Sequence, residues 1–123
     1  MDVETDTTMR IGELARRAGV STRALRYYEE QGLLRPVRSE SGQRRYDESA
    51  VEYVRFFQEM FAAGLTSTNI AQLLPCMAVG HTDAEQRAML RRQRERIAER
   101  VATLNVALGR LDRIIAVTDG HPD

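Results

Sequence analysis

Arg23, Arg26 and Tyr27 are spaced three and four residues apart, so a helix sets them side by side on one face. Guanidinium groups placed in that way suit the acceptor edges of bases in a DNA groove. A second set follows in Arg35, Arg38, Arg44 and Arg45, with Tyr46 at its end. Forked guanidinium groups take phosphate oxygens bidentately, and the Tyr46 hydroxyl adds a donor for the same backbone, so this set would fix a protein on a duplex. No catalytic pattern competes with that chemistry. The chain has no Ser/His/Asp, Cys/His or paired-carboxylate arrangement at motif-like spacing and no Gly-rich phosphate cradle, which argues against an enzyme, and no cofactor is expected.

The elements that must position these residues are legible around them. A helix is expected from about Gly12 to Arg17, with Leu14, Ala15 and Ala18 inward and Gly19 as its stop. Ser21 caps a second helix whose Ala24, Leu25 and Tyr28 share one face, turning Arg23, Arg26 and Tyr27 outward; Gly32 ends it. Tyr28 suits core packing and a surface role equally. Two helices joined by a tight Gly-bearing turn make a helix-turn-helix, whose second helix enters the major groove. Pro36 then blocks a third helix, and the turn cluster Ser39-Glu40-Ser41-Gly42 between short extended runs reads as a β-hairpin wing carrying the second arginine set.

Beyond the wing, Asp47 is expected to cap a helix reaching about Ala63, with Val51, Val54, Phe57, Met60 and Phe61 as an apolar stripe and Gly64 as its end. Its Arg55 either reaches a phosphate or is solvated. Thr66 caps a short helix with Ile70, Leu73 and Leu74, which Pro75 should stop, leaving Cys76 to His81 as a loop. Thr82-Asp83-Ala84-Glu85 reads as a capping box opening a proline-free stretch. There Leu90, Ile97, Leu104 and Leu111 repeat every seven residues, interleaved four residues later by Arg94, Val101, Leu108 and Ile115. Such a seam calls for a second chain, most simply a homodimer, with Leu90, Ile97, Val101, Leu104, Leu108, Leu111 and Ile115 at the interface. The expected organisation is a disordered N-terminus at 1–8, a DNA-binding domain at 9–75, a linker loop at 76–83, a coiled-coil helix at 84–117 and a tail at 118–123.

Charge distribution agrees. Over the whole chain 18 basic residues balance 18 acidic ones, so any attraction to phosphate must be local. From Arg10 to Tyr46 nine arginines face four acids, whereas Asp47 to Asp83 holds one arginine and five acids. No segment has the roughly 18 apolar residues of a membrane span, and the acidic start lacks the regions of a signal peptide, so a cytoplasmic location without membrane contact is expected. The single cysteine fits a reducing compartment.

The pattern Ile11-Gly12-Glu13-Leu14-Ala15, Gly19-Val20-Ser21, Arg23, Leu25-Arg26-Tyr27-Tyr28-Glu29, Gly32-Leu33-Leu34, Pro36, Arg38, Gly42, Arg44 and Tyr46 resembles the MerR family of bacterial transcription regulators. Gln43 departs from it, standing where the family often has Tyr. The resemblance implies a mainly α protein: a winged helix-turn-helix DNA-binding domain followed by a long C-terminal dimerisation helix, paired antiparallel in the dimer. It implies a homodimer on a palindromic operator in double-stranded DNA that bends and untwists the promoter for RNA polymerase. Arg23, Arg26, Tyr27, Arg38, Arg44, Arg45 and Tyr46 are the expected DNA contacts. Two other readings stand beside this one: an architectural or recombination accessory protein using the same wing, and a metal- or redox-sensing regulator. The chain is expected to have no appended effector domain. Comparison with metal-sensing relatives singles out Cys76, His81 and His121, with Asp119 or Asp123 as a further ligand, as thin candidates for a zinc-like ion; Cys76 alone would serve redox sensing, or simply be a small buried hydrophobe.

Overall fold

The computed structural model describes residues 8–38 and 42–120, with the side chain of Arg38 outside that set. The elements run β1 (Thr8–Met9), α1 (Ile11–Ala18), α2 (Thr22–Glu30), β2 (Val37–Arg38), β3 (Arg44–Asp47), α3 (Ala50–Ala62), α4 (Ser67–Val79) and α5 (Ala84–Asp119). The chain divides into two compact units that meet between Thr82 and Asp83.

In the first unit α1 stops where Gly19 takes φ 74°, a left-handed conformation that costs glycine least. Ser21 caps α2 as expected, its Oγ accepting from the Ala24 amide at 3.0 Å. Leu14, Leu25, Val54, Phe57 and Ile70, from α1 to α4, are wholly buried in the core. The wing is antiparallel, with Val37 opposite Arg45 and Arg38 opposite Arg44. Its turn residues Ser39, Glu40 and Ser41 lie outside the described residues, as do residues 1–7 of the expected disordered start.

Three boundaries differ from expectation. Thr8, assigned to the N-terminus, instead begins β1, which pairs with β3 through Thr8–Asp47 and Met9–Tyr46 and makes a three-stranded sheet of order β1-β3-β2. Asp47 does not cap α3 directly: it ends β3, and its carboxylate accepts from the amide and hydroxyl of Ser49, the residue preceding the helix. Those bonds hold its carboxyl below the usual carboxylate range.

Pro75 does not stop α4. Its ring imposes a helical φ, so the helix forgoes only the amide that would have reached the Ala71 carbonyl and continues to Val79, where Gly80 at φ 90° closes it with a 2.7 Å bond to Cys76. The expected loop from Cys76 is therefore helical for its first four residues. At its start α4 has a full capping box: Thr66 accepts from the Asn69 amide, and the Asn69 side chain accepts from that of Thr66.

The second unit is one 36-residue helix, α5. Its capping box is real but shifted by one residue, Asp83 and Gln86 exchanging bonds of 2.7 and 2.8 Å. At 1.5 Å per residue it is about 54 Å long.

Candidate nucleic-acid interface

Helix α2 offers its outer face to solvent. Leu25 and Tyr28 point into the core, and Arg23, Arg26, Tyr27 and Glu30 are exposed. Neither Arg23 nor Arg26 has an ion pair or hydrogen bond among the described residues, so both guanidinium groups keep all their donors for an outside acceptor. Tyr28 resolves to the core: its ring stacks on Phe61 at 5.7 Å and meets the edge of Phe57 at 5.5 Å, and burial raises its hydroxyl pKa. Tyr27 stays half exposed while its ring leans on Phe61 at 6.2 Å, a surface aromatic with a fixed base.

The wing residues divide by the two-residue period of a strand. Arg44 and Tyr46 share one face of β3 and both turn to Glu29, near the end of α2. Arg44 Nη1 donates to Glu29 Oε2 at 2.7 Å, and the Tyr46 hydroxyl donates to Glu29 Oε1. Arg44 remains half exposed, with its other donors available.

Tyr46 has no exposed surface at all, which corrects its assignment as a DNA contact: the ring fills the core, and its only polar atom is taken by Glu29. Burial first, then the bond and charge of Glu29, push its pKa up to about 12 against a smaller opposing effect of Arg44.

Arg45, one residue away, faces the other side. Its Nε donates to Thr8 Oγ1 at 3.2 Å and an Nη to the Thr8 carbonyl at 3.0 Å. It ties β1 to β3 through these two donors. Arg38 sits opposite Arg44 in the hairpin register. Arg55 is likewise engaged, donating to the Arg17 carbonyl at 2.9 Å and so satisfying the C-terminal end of α1.

Between the end of α2 and the wing lies an open concavity of about 480 Å³, lined by Arg26, Glu29, Glu30, Leu34, Arg35 and Arg44 among others. Three arginines, with Glu29 and Glu30 between them, surround one hollow beside the exposed helix face. The pairing of Glu29 with Arg44 and Tyr46 is not expected from the sequence. The available signal was an acid fifteen and seventeen positions ahead of an Arg-x-Tyr strand, but sequence spacing alone does not pair a helix with a distant strand.

The sequence pattern of MerR HTH family regulatory proteins matches residues 9–75, which span both helices, the wing and its buttress. The chain belongs to this family. It is a DNA-binding transcription regulator. A probable heavy metal-dependent transcriptional regulator from Haemophilus influenzae is 36% identical over 108 residues, covering 87% of this chain and 80% of that one. Among solved structures, a lead(II)-bound transcription regulator from Ralstonia metallidurans superposes with a TM-score of 0.71 at 29% identity, covering 94% of this chain and 88% of that one. HiNmlR, a MerR family regulator lacking the sensor domain and bound to promoter DNA, gives 0.58 at 25% identity over 89% and 84% of the two chains.

In α5 of this regulator the predicted seam lies open. Val101, Leu104, Leu108, Leu111 and Ile115 are all exposed, Leu104 by 67%, while Leu90 and Ile97 are half-buried. Arg94, which interrupts the seam, pairs with Glu95 of its own helix at 3.2 Å, and both side chains are well solvated.

Cys76 is half-buried in the last turns of α4, His81 is exposed beyond the helix, and His121 and Asp123 lie outside the described residues. No group of three or more metal-ligating side chains gathers among the described residues. None of the described helices is long and apolar enough to cross a membrane.

Proposed function

We propose that this regulator binds a palindromic operator within a promoter as a homodimer joined through α5, and that it distorts the DNA to control transcription by RNA polymerase. The observation that carries this reading is the row of exposed aliphatic side chains on α5, Val101 through Ile115, at heptad spacing. Apolar stripes of that length are covered by a second helix, and two identical chains do so with two-fold symmetry. A two-fold dimer presents two copies of α2, which asks for an inverted repeat in the DNA. Arg23, Arg26 and Tyr27 read the groove; Arg44, with Arg35 and Arg38, holds the flanking phosphates. Wings gripping both flanks of a symmetric site supply the leverage for bending and untwisting. HiNmlR, seen on promoter DNA, supports the same use of the fold.

The test is a footprint of the purified protein on the intergenic DNA upstream of its own coding region, read together with transcript output. A protected inverted repeat lying between promoter elements, with transcription changed on binding, is the expected result. A protected site that lies away from any promoter would instead identify an architectural or recombination accessory protein.

A further inference from the structure

Glu29 stands out because it is the only carboxylate among the described residues that receives both an arginine and a buried tyrosine. Its side chain is 12% exposed, one oxygen accepting from Arg44 and the other from Tyr46. Tyr46 cannot move without disturbing the core, so Glu29 links a fixed point of β3 to the last turns of α2. Arg44 is held by one of its nitrogens and has others free. We infer that Glu29 is a positioning residue for DNA binding: it locks the wing to the recognition helix and orients the Arg44 guanidinium before a phosphate arrives.

The inference rests on the proposed wing contact and adds to it a physical role for an acid inside a basic surface. An acid beside DNA is unfavourable by simple charge counting. Its presence is explained by ordering: a long flexible arginine loses rotamer freedom on binding, and a side chain already oriented loses less. The Tyr46 bond keeps the carboxylate itself from following Arg44 outward.

The experiment is a double-mutant cycle between Glu29→Gln and Arg44→Ala, reading operator affinity, its salt dependence and phosphate-ethylation interference. Glu29→Gln keeps side-chain volume and one acceptor oxygen for Tyr46, and thermal unfolding of each variant reports whether the fold holds. Glu29→Gln should weaken binding by roughly three- to tenfold for each wing, the scale of ordering one long side chain. It should also lose interference at the flanking phosphate while preserving base preference. In the Arg44→Ala background, Glu29→Gln should cost nothing further.

Additive losses would overturn the inference, as would tighter binding with a steeper salt dependence, because then Glu29 merely neutralises Arg44. If Arg44→Ala alone leaves affinity and salt dependence unchanged, the wing contact itself fails and the inference falls with it, a result distinguishable from the other two.

Discussion

The winged unit and α5 handle apolar surface in opposite ways. In the first, every large core side chain finds cover within the chain: Leu14, Leu25, Val54, Phe57 and Ile70 are sealed, and even the polar atom of buried Tyr46 is bonded. In the second, the stripe from Val101 to Ile115 stays in water. A single helix has no opposite wall, so its apolar face is buried only by association, whereas two helix pairs and a sheet enclose a core between them. The first region holds nearly all of the buried core, whereas α5 buries Met89 and leaves its later apolar stripe exposed.

That contrast can be broken most forcefully in the core. Phe57→Ala removes a fully buried ring touching Tyr28 and Tyr53 and should cost about 3–5 kcal/mol, seen as a lower midpoint in denaturant unfolding. A loss below about 1 kcal/mol would mean that the unit is not closed as described.

Leu104→Asp tests the other region. It should leave the winged unit folded while weakening self-association about a hundredfold, roughly 2.7 kcal/mol, because a charge would enter an apolar seam. Sedimentation equilibrium that still shows dimer at unchanged affinity would remove α5 from the interface.

Arg23→Ala sharpens the comparison within the DNA surface, where α2 has free donors and β3 has committed ones. Discrimination at one base position in each half-site should fall by about 1–3 kcal/mol in a selection from randomised operators, with phosphate contacts unchanged. If base preference is intact, Arg23 only positions the helix.

The smallest effect is expected at high pH. Since the fold raises the Tyr46 hydroxyl from 10.0 to about 12, its contribution to stability is whole below pH 10 and is lost as pH rises through about 12. Tyr46→Phe, followed by thermal unfolding across that range, should flatten the alkaline decline; an equally steep decline in the variant would place the titration elsewhere.

Local signals were read well because their causes are local. Ser21 as a cap, Gly19 and Gly64 as helix ends, and the unbroken helix of α5 each depend on a few neighbouring residues, and each is found in the structure. Pro75 misled because a proline's effect is local in geometry but not in outcome: losing one hydrogen bond does not end a helix whose Ile70 and Leu73 are anchored in a core. Strand β1 escaped notice because two residues carry no period, and their pairing is dictated by the open edge of β3.

By itself, then, the sequence determined the kind of protein this is: two helices ended by local signals, a hairpin rich in arginine, and a long helix with a heptad apolar seam. Only the tertiary structure decided which arginines remain free. Arg23 and Arg26 are left open, Arg45 bonds to Thr8 and Arg55 to the Arg17 carbonyl, Tyr46 is sunk in the core, and Arg44 is held by Glu29 through one nitrogen. The physical reason is that a residue's type sets what bonds it can make, while its actual partner is set by distance. Residues fifteen to thirty-eight positions apart are brought within reach only by the packed fold.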